Sequence, residues 1–165
     1  MNKMTKRFCT LSDSNFIVQG LALLNSLRKS NPDFAMYYLC LDQQTHEIMK
    51  NEPNVKAVSL EEFEEDANQI KEAKTLPPSQ EALNVAAITG RDARWIQHCW
   101  RLASCWTSHV LDATNSEDIV YVDSDLFFFG PWMNIYCAVQ DKSIGIVKNN
   151  SNNDKVNGRF NVSCI

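Results

Sequence analysis

Hydrophobic and polar positions alternate along this chain in a way that predicts interleaved strands and helices. Arg7-Phe8-Cys9-Thr10-Leu11 is a short apolar run closed by Ser12-Asp13-Ser14-Asn15, a cluster of good helix N-caps. From Phe16 to about Lys29, apolar residues recur at helical spacing through Leu21, Leu24 and Leu27. Asn31-Pro32-Asp33 stops that helix, because a proline disfavours the helical conformation of the residue before it. Phe34 to Leu41 is continuously apolar, the pattern of a strand buried on both faces of a parallel sheet. Together these segments form a strand–helix–strand unit.

The alternation continues. A short helix is predicted from Thr45 to Lys50, a strand from Val55 to Leu60, and an acidic helix from Glu61 to Lys74 whose charges form a solvated face. Pro77-Pro78-Ser79 is a loop within one domain. Asp92 to about Ala113 predicts a long helix with Trp95, Cys99, Leu102, Trp106 and His109/Val110 on one side. Ile119 to Val122 enters as a strand and runs through Asp123-Ser124-Asp125 into Leu126 to Phe129. A short helix from Trp132 to Gln140, a strand from Ser143 to Val147, a polar loop from Lys148 to Gly158 and a strand from Arg159 to Ile165 complete the chain. The expected fold class is α/β: a mostly parallel, Rossmann-like central sheet flanked by helices, in a single domain over residues 1–165.

Composition narrows the function. The 165 residues suffice for one core, and 44% hydrophobic with 22% charged residues argues against disorder. A net charge of −4 disfavours non-specific adhesion to nucleic acid or an anionic membrane. No apolar run reaches the roughly 18 residues of a membrane helix, and the basic start is interrupted by Ser12 to Asn15 before any signal-like core. A cytoplasmic protein is expected. The six cysteines sit in apolar company and are read as reduced core residues. His98, Cys105 and His109 share a helix face at spacings that could suit zinc, but are read as ordinary helix positions.

Open parallel sheets bind ligands at the carboxyl ends of their strands. Thr10 to Asn15 and Asp123 to Asp125 therefore matter most. Aspartate is disfavoured in strands, and two carboxylates among Tyr, Val, Leu and Phe need a compensating partner. Within the fourth strand, alternation points both side chains to the same face. Hard oxygen ligands select Mg²⁺ or Mn²⁺, and such ions commonly bridge a diphosphate. The aspartates could instead cap a strand end or turn. With five scattered glycines, neither a P-loop nor a dinucleotide-binding fingerprint is present.

Three blocks carry a resemblance. Cys9-Thr10-Leu11-Ser12-Asp13-Ser14-Asn15-Phe16 precedes Gly20 to Arg28, with Ser26-Leu27 at its end. Arg101-Leu102 leads to Tyr121-Val122-Asp123-Ser124-Asp125-Leu126 and Pro131. Phe160-Asn161-Val162-Ser163 comes last. In order and spacing these resemble the GT-A-fold glycosyltransferases of family 8, the group of glycogenin and bacterial lipopolysaccharide glucosyl- and galactosyltransferases. The resemblance implies a metal-dependent transferase taking a nucleoside-diphosphate sugar, with a UDP-sugar expected, and an unspecified acceptor such as a glycan or lipopolysaccharide. It implies that Thr10, Leu11 and Ser12 line the base site and that Phe16 stacks on the base. Arg101 would sit near the diphosphate or sugar, Ser124 beside the substrate, and Asn161 on the donor sugar. Asp123 would contact ribose and metal, Asp125 would be the main ligand, and the metal would be Mn²⁺ or Mg²⁺. Ser163 stands where the family has Gly. With the chain ending at Ile165, the acceptor half and a late metal-binding histidine are expected to be lacking. Two other readings stay open: a non-catalytic nucleotide-sugar-binding protein, and a sugar-phosphate nucleotidyltransferase.

Overall fold

The computed structural model describes residues 5–30, 32–66, 77–134, 137, 142–148 and 160–161. Its centre is a parallel sheet in the order β3-β2-β1-β4, formed by β1 (Lys6–Ser12), β2 (Phe34–Cys40), β3 (Val55–Ser59) and β4 (Val120–Tyr121). Helix α1 (Ile17–Ser30), preceded by a 3₁₀ turn over Ser14–Phe16, links β1 to β2; α2 (Gln43–Met49) links β2 to β3. Among the described residues, three helices lie between β3 and β4: α3 (Leu60–Asp66), α4 (Gln80–Thr89) and α5 (Ala93–Thr114). A two-residue ladder, β5 (Val147–Lys148) with β6 (Phe160–Asn161), is antiparallel.

The sheet is buried from both sides, as the apolar runs of β1 and β2 require. Phe8, Met36, Tyr38 and Val122 pack with Leu23, Leu24 and Leu27 of α1 and Met49 of α2. Cys9, Leu39 and Tyr121 face the other way, onto Phe63 of α3 and Leu102, Trp106 and Val110 of α5. Trp106 is nearly inaccessible, and its indole N–H donates to the Tyr37 carbonyl at 3.3 Å. Such an anchor is worth about 3–5 kcal/mol against alanine.

The helix ends obey local chemistry. Asp92 caps α5 by accepting from Trp95 N at 2.8 Å, and Asn115 closes it in the left-handed region at φ 45°. Ser79 caps α4 and Gly90 ends it at φ 71°.

Four sequence expectations change. Helix α4 went unanticipated; its Leu83 and Ile88 are exposed, so it lacks the buried stripe that periodicity detects. The fourth strand is shorter than its apolar run, and Leu126 N donates to the Asp123 carbonyl at 3.1 Å, so Asp123-Ser124-Asp125 forms a turn. Leu126 to Phe129 do not extend the strand, and Phe129 is 95% exposed. Instead, Phe128 N donates to the buried Ser26 hydroxyl at 3.0 Å, which draws the segment across α1. The strand expected at Ser143 to Val147 is confined to Val147–Lys148. Positions 67–74 of the acidic helix, most of the expected Trp132 to Gln140 helix, and most of the 149–165 segment lie outside the described residues.

Candidate functional site

The topology singles out one crevice. From β1 the chain steps outward to β2 and then β3, with α1 and α2 packed on one face. It then returns, with α3 and α5 on the opposite face, to place β4 on the far side of β1. The order therefore reverses between β1 and β4, and a ligand crevice opens outside the carboxyl ends of strands at such a switch point. Val122 N donates to the Cys9 carbonyl at 3.0 Å, so the two strands deliver Ser12–Phe16 and Asp123–Asp125 to the same edge.

On the β4 side, Asp123 is half-buried and Asp125 is exposed. Tyr121 donates its hydroxyl to Asp123 Oδ1 at 2.8 Å. Burial pushes the Tyr121 phenol well above its usual range, and the neighbouring Asp123 charge adds to this, so the group stays a donor. Ser124 is buried between the two acids. Carboxylate oxygens match a hard divalent cation in donor chemistry. Among the described residues, no three His, Cys, Asp or Glu side chains converge into a cage. Asp123 and Asp125 are the residues here that could hold such a cation.

The β1 side is a tight polar turn. Thr10 is fully buried, and its hydroxyl has no hydrogen-bond partner among the described residues. Leu11 is half-buried against the α5 side of the sheet. Ser12 is buried, its hydroxyl 2.7 Å from the Tyr38 hydroxyl. Thus the Thr10 and Ser12 side chains lie beneath the crevice surface. Asp13 Oδ1 accepts from Asn15 N at 3.1 Å and starts the 3₁₀ turn, while Phe16 N donates to the Asp13 carbonyl at 3.0 Å. Phe16 is half-buried at the turn's end.

Sequence reasoning missed Asp42 and Arg91, and it flagged the segment of Asp13 without giving that residue a role of its own. Asp42, just past β2, caps α2 by accepting from Thr45 N at 2.8 Å and Thr45 Oγ1 at 2.7 Å. Its other oxygen accepts from Ser14 N at 2.7 Å, which ties the β1 turn to the β2 end. The Asp-x-x-Thr spacing after a buried strand was the available signal. Asp13, inside the recognised polar cluster, forms an ion pair with Arg91. Arg91 also sets its guanidinium 5.6 Å from the Phe16 ring centroid. Nothing local marks Arg91, since its partners lie more than seventy positions away.

The remaining candidates are more dispersed. Arg101 is half-buried on α5, and Asn161 pairs with Val147 in the β5–β6 ladder. The two helix histidines have separate surroundings. His98 is buried 3.6 Å from Glu64, and His109 stacks on Trp106 with 5.6 Å between ring centroids.

No family model matches the chain. It is 27% identical over 128 residues to the uncharacterized protein YfnD of Bacillus subtilis (strain 168), which covers 76% of this chain and 35% of that protein. It is 25% identical over 128 residues to YfnF of the same organism, covering 76% and 37%. The chain thus spans about a third of the length of these curated relatives. Its fold is similar to that of the galactosyltransferase LgtC, solved with donor and acceptor sugar analogues. That similarity has a TM-score of 0.52 at 9% identity and covers 96% of this chain and 56% of LgtC.

Proposed function

We propose that this chain is the donor-binding part of a metal-dependent glycosyltransferase that takes a nucleoside-diphosphate sugar, specifically a UDP-sugar. The carrying observation is the switch in strand order between β1 and β4, which brings a polar aromatic turn and an Asp-Ser-Asp turn to one sheet edge, where such sheets bind ligands. The likeness to LgtC supports the same class of ligand.

In this reading Phe16 offers a ring face to the base, while Leu11 borders it and the buried Thr10 and Ser12 hold the turn's backbone from below. Asp123 and Asp125 hold Mn²⁺ or Mg²⁺, which when bound neutralises the charge growing on the departing diphosphate. Tyr121 orients Asp123 through the hydrogen bond to its Oδ1. Ser124 fixes the turn, Arg101 faces the diphosphate or sugar, and Asn161 contacts the donor sugar. The acceptor is a hydroxyl-bearing glycan or lipopolysaccharide, met in the cytoplasm. Among the described residues no helix is long and apolar enough to cross a membrane.

Calorimetry with UDP and Mn²⁺ tests this. Metal-dependent binding in the wild type is expected, with at least a tenfold loss in Asp125→Ala. Because Asp125 is exposed, the unfolding midpoint should not move. UDP binding that ignores both Mn²⁺ and the substitution would refute the metal role. Binding without sugar release or transfer from any UDP-sugar would reduce the reading to a non-catalytic binder.

A further inference from the structure

Arg91 holds a place at the crevice that the donor reading needs for something else. Its guanidinium makes an ion pair with Asp13, whose side chain is only 10% exposed, and lies 5.6 Å from the Phe16 ring centroid. Arginine suits this double role because its planar cation both forks onto a carboxylate and stacks on an aromatic face. A base sandwiched between Phe16 and Arg91 would need about 7 Å between the two planes, twice the van der Waals separation of stacked carbons. The observed separation is too small. A base can use this face only after Arg91 moves off.

The chain around Arg91 permits such a move. Gly90 ends α4 in the left-handed region at φ 71°, and Asp92 caps α5. Arg91 therefore sits in a short joint between helices, and its own side chain is 34% exposed. Its backbone N–H reaches the Thr89 hydroxyl at 3.4 Å, and the preceding Gly90 N–H reaches the Ala86 carbonyl at 2.8 Å, so the backbone is tied to α4 while the side chain can move.

Resting on the donor reading, we propose that Arg91 is the gate of the nucleoside end of this crevice: it covers Phe16 and Asp13 in the empty protein and swings away when a nucleotide enters. A protein whose competent state is only partly populated binds with an affinity lowered by that fraction. Removing the gate should remove the penalty.

The test compares UDP binding, with saturating Mn²⁺, in wild type, Arg91→Ala and Arg91→Lys. The lysine variant keeps a cation for Asp13 and guards against a folding defect, but has no planar face. Affinity should rise about five- to thirtyfold in Arg91→Ala and less in Arg91→Lys, from one part-exposed ion pair and one cation–π contact removed. Weaker or unchanged UDP binding in Arg91→Ala, with wild type binding normally, overturns the gate and leaves the donor reading standing. Absence of binding in all three proteins overturns both. In the wild type, the Arg91 side-chain NMR signals should carry a ring-current shift that Phe16→Leu abolishes and that saturating UDP also removes. A shift that persists at saturation overturns the gate.

Discussion

Gly20 is the position where one methyl group should do the most damage. It lies in the first turns of α1, directly over the Tyr38 hydroxyl. An added Cβ would stand 2.2 Å from Tyr38 Oη and 3.2 Å from both Tyr38 Cζ and Met49 Cε. Tyr38 has no accessible surface, and its hydroxyl is 2.7 Å from the buried Ser12 hydroxyl. The ring cannot withdraw without stretching that bond. Overpacking of this kind costs about 1–3 kcal/mol, and the strained hydrogen bond adds about 1 kcal/mol. Alanine returns about 1 kcal/mol through its better helix propensity. Gly20→Ala should therefore destabilise by about 1–3 kcal/mol, a fall of roughly 2–12 °C in melting temperature for a chain of this size.

The decisive comparison is a double-mutant cycle with Tyr38→Phe, read by urea unfolding. Without the phenolic oxygen, the closest contacts left are those at 3.2 Å, so the cost of Gly20→Ala should fall by about 2 kcal/mol. Tyr38→Phe alone should cost about 1 kcal/mol by stranding Ser12. If Gly20→Ala stabilises the wild type, helix propensity governs the site and the packing argument is wrong. An equal cost in both backgrounds would show that the Tyr38 oxygen is not the obstacle.

Asp42→Ala should cost about 0.5–2 kcal/mol at neutral pH through loss of the α2 cap. Burial works to raise the Asp42 carboxyl pKa, but the hydrogen bonds from Thr45 and Ser14 outweigh it and leave the group below its usual range. Because the folded value lies under the unfolded one, the stabilisation is present above about pH 4 and is lost as pH falls through the folded value. The wild-type advantage over Asp42→Ala in urea midpoint should shrink on acidification; a gap that stays constant down to strongly acidic pH would contradict this. Burial pushes the Cys9 and Cys40 thiols up to about 12, and both are essentially inaccessible, whereas Cys137 is exposed. At mildly alkaline pH a thiol reagent followed by peptide mapping should label Cys137 and spare Cys9 and Cys40 until urea is added; prompt native labelling of either would contradict their burial.

The sequence made the sheet legible because its signals are local. The unbroken apolar run of β2 needs cover on both faces, and the structure supplies α1 and α2 on one side and α3 and α5 on the other. The polar stop after Leu11 and the acids after Val122 marked two strand ends, which the switch in strand order then brings to one crevice. The alternation argument for the aspartates failed for an equally physical reason. It assumed that an apolar run stays a strand, whereas pairing with β1 ends near Val122 and the chain turns at Asp123. Hydrophobicity reports burial, and Phe128 is half-buried where its segment crosses α1 rather than in the sheet.

What local pattern could not show is how the crevice is held shut or open. Asp42 and Asp13 each serve two segments: Asp42 caps α2 and grips the β1 turn, while Asp13 starts the 3₁₀ turn and anchors Arg91. Each carboxylate satisfies a local backbone donor with one oxygen and a distant group with the other. The local half of that chemistry is written in the spacing, and the distant half exists only once β1, β2 and the α4–α5 joint have met. The two bonds also differ in what they leave behind when broken. Releasing Ser14 N from Asp42 strands a part-buried backbone donor, so the β1 turn is rigidly set. Releasing Arg91 from Asp13 exposes two groups that water can solvate, at the cost of a partly screened pair. The asymmetry makes the turn the fixed wall of the crevice and Arg91 its movable one.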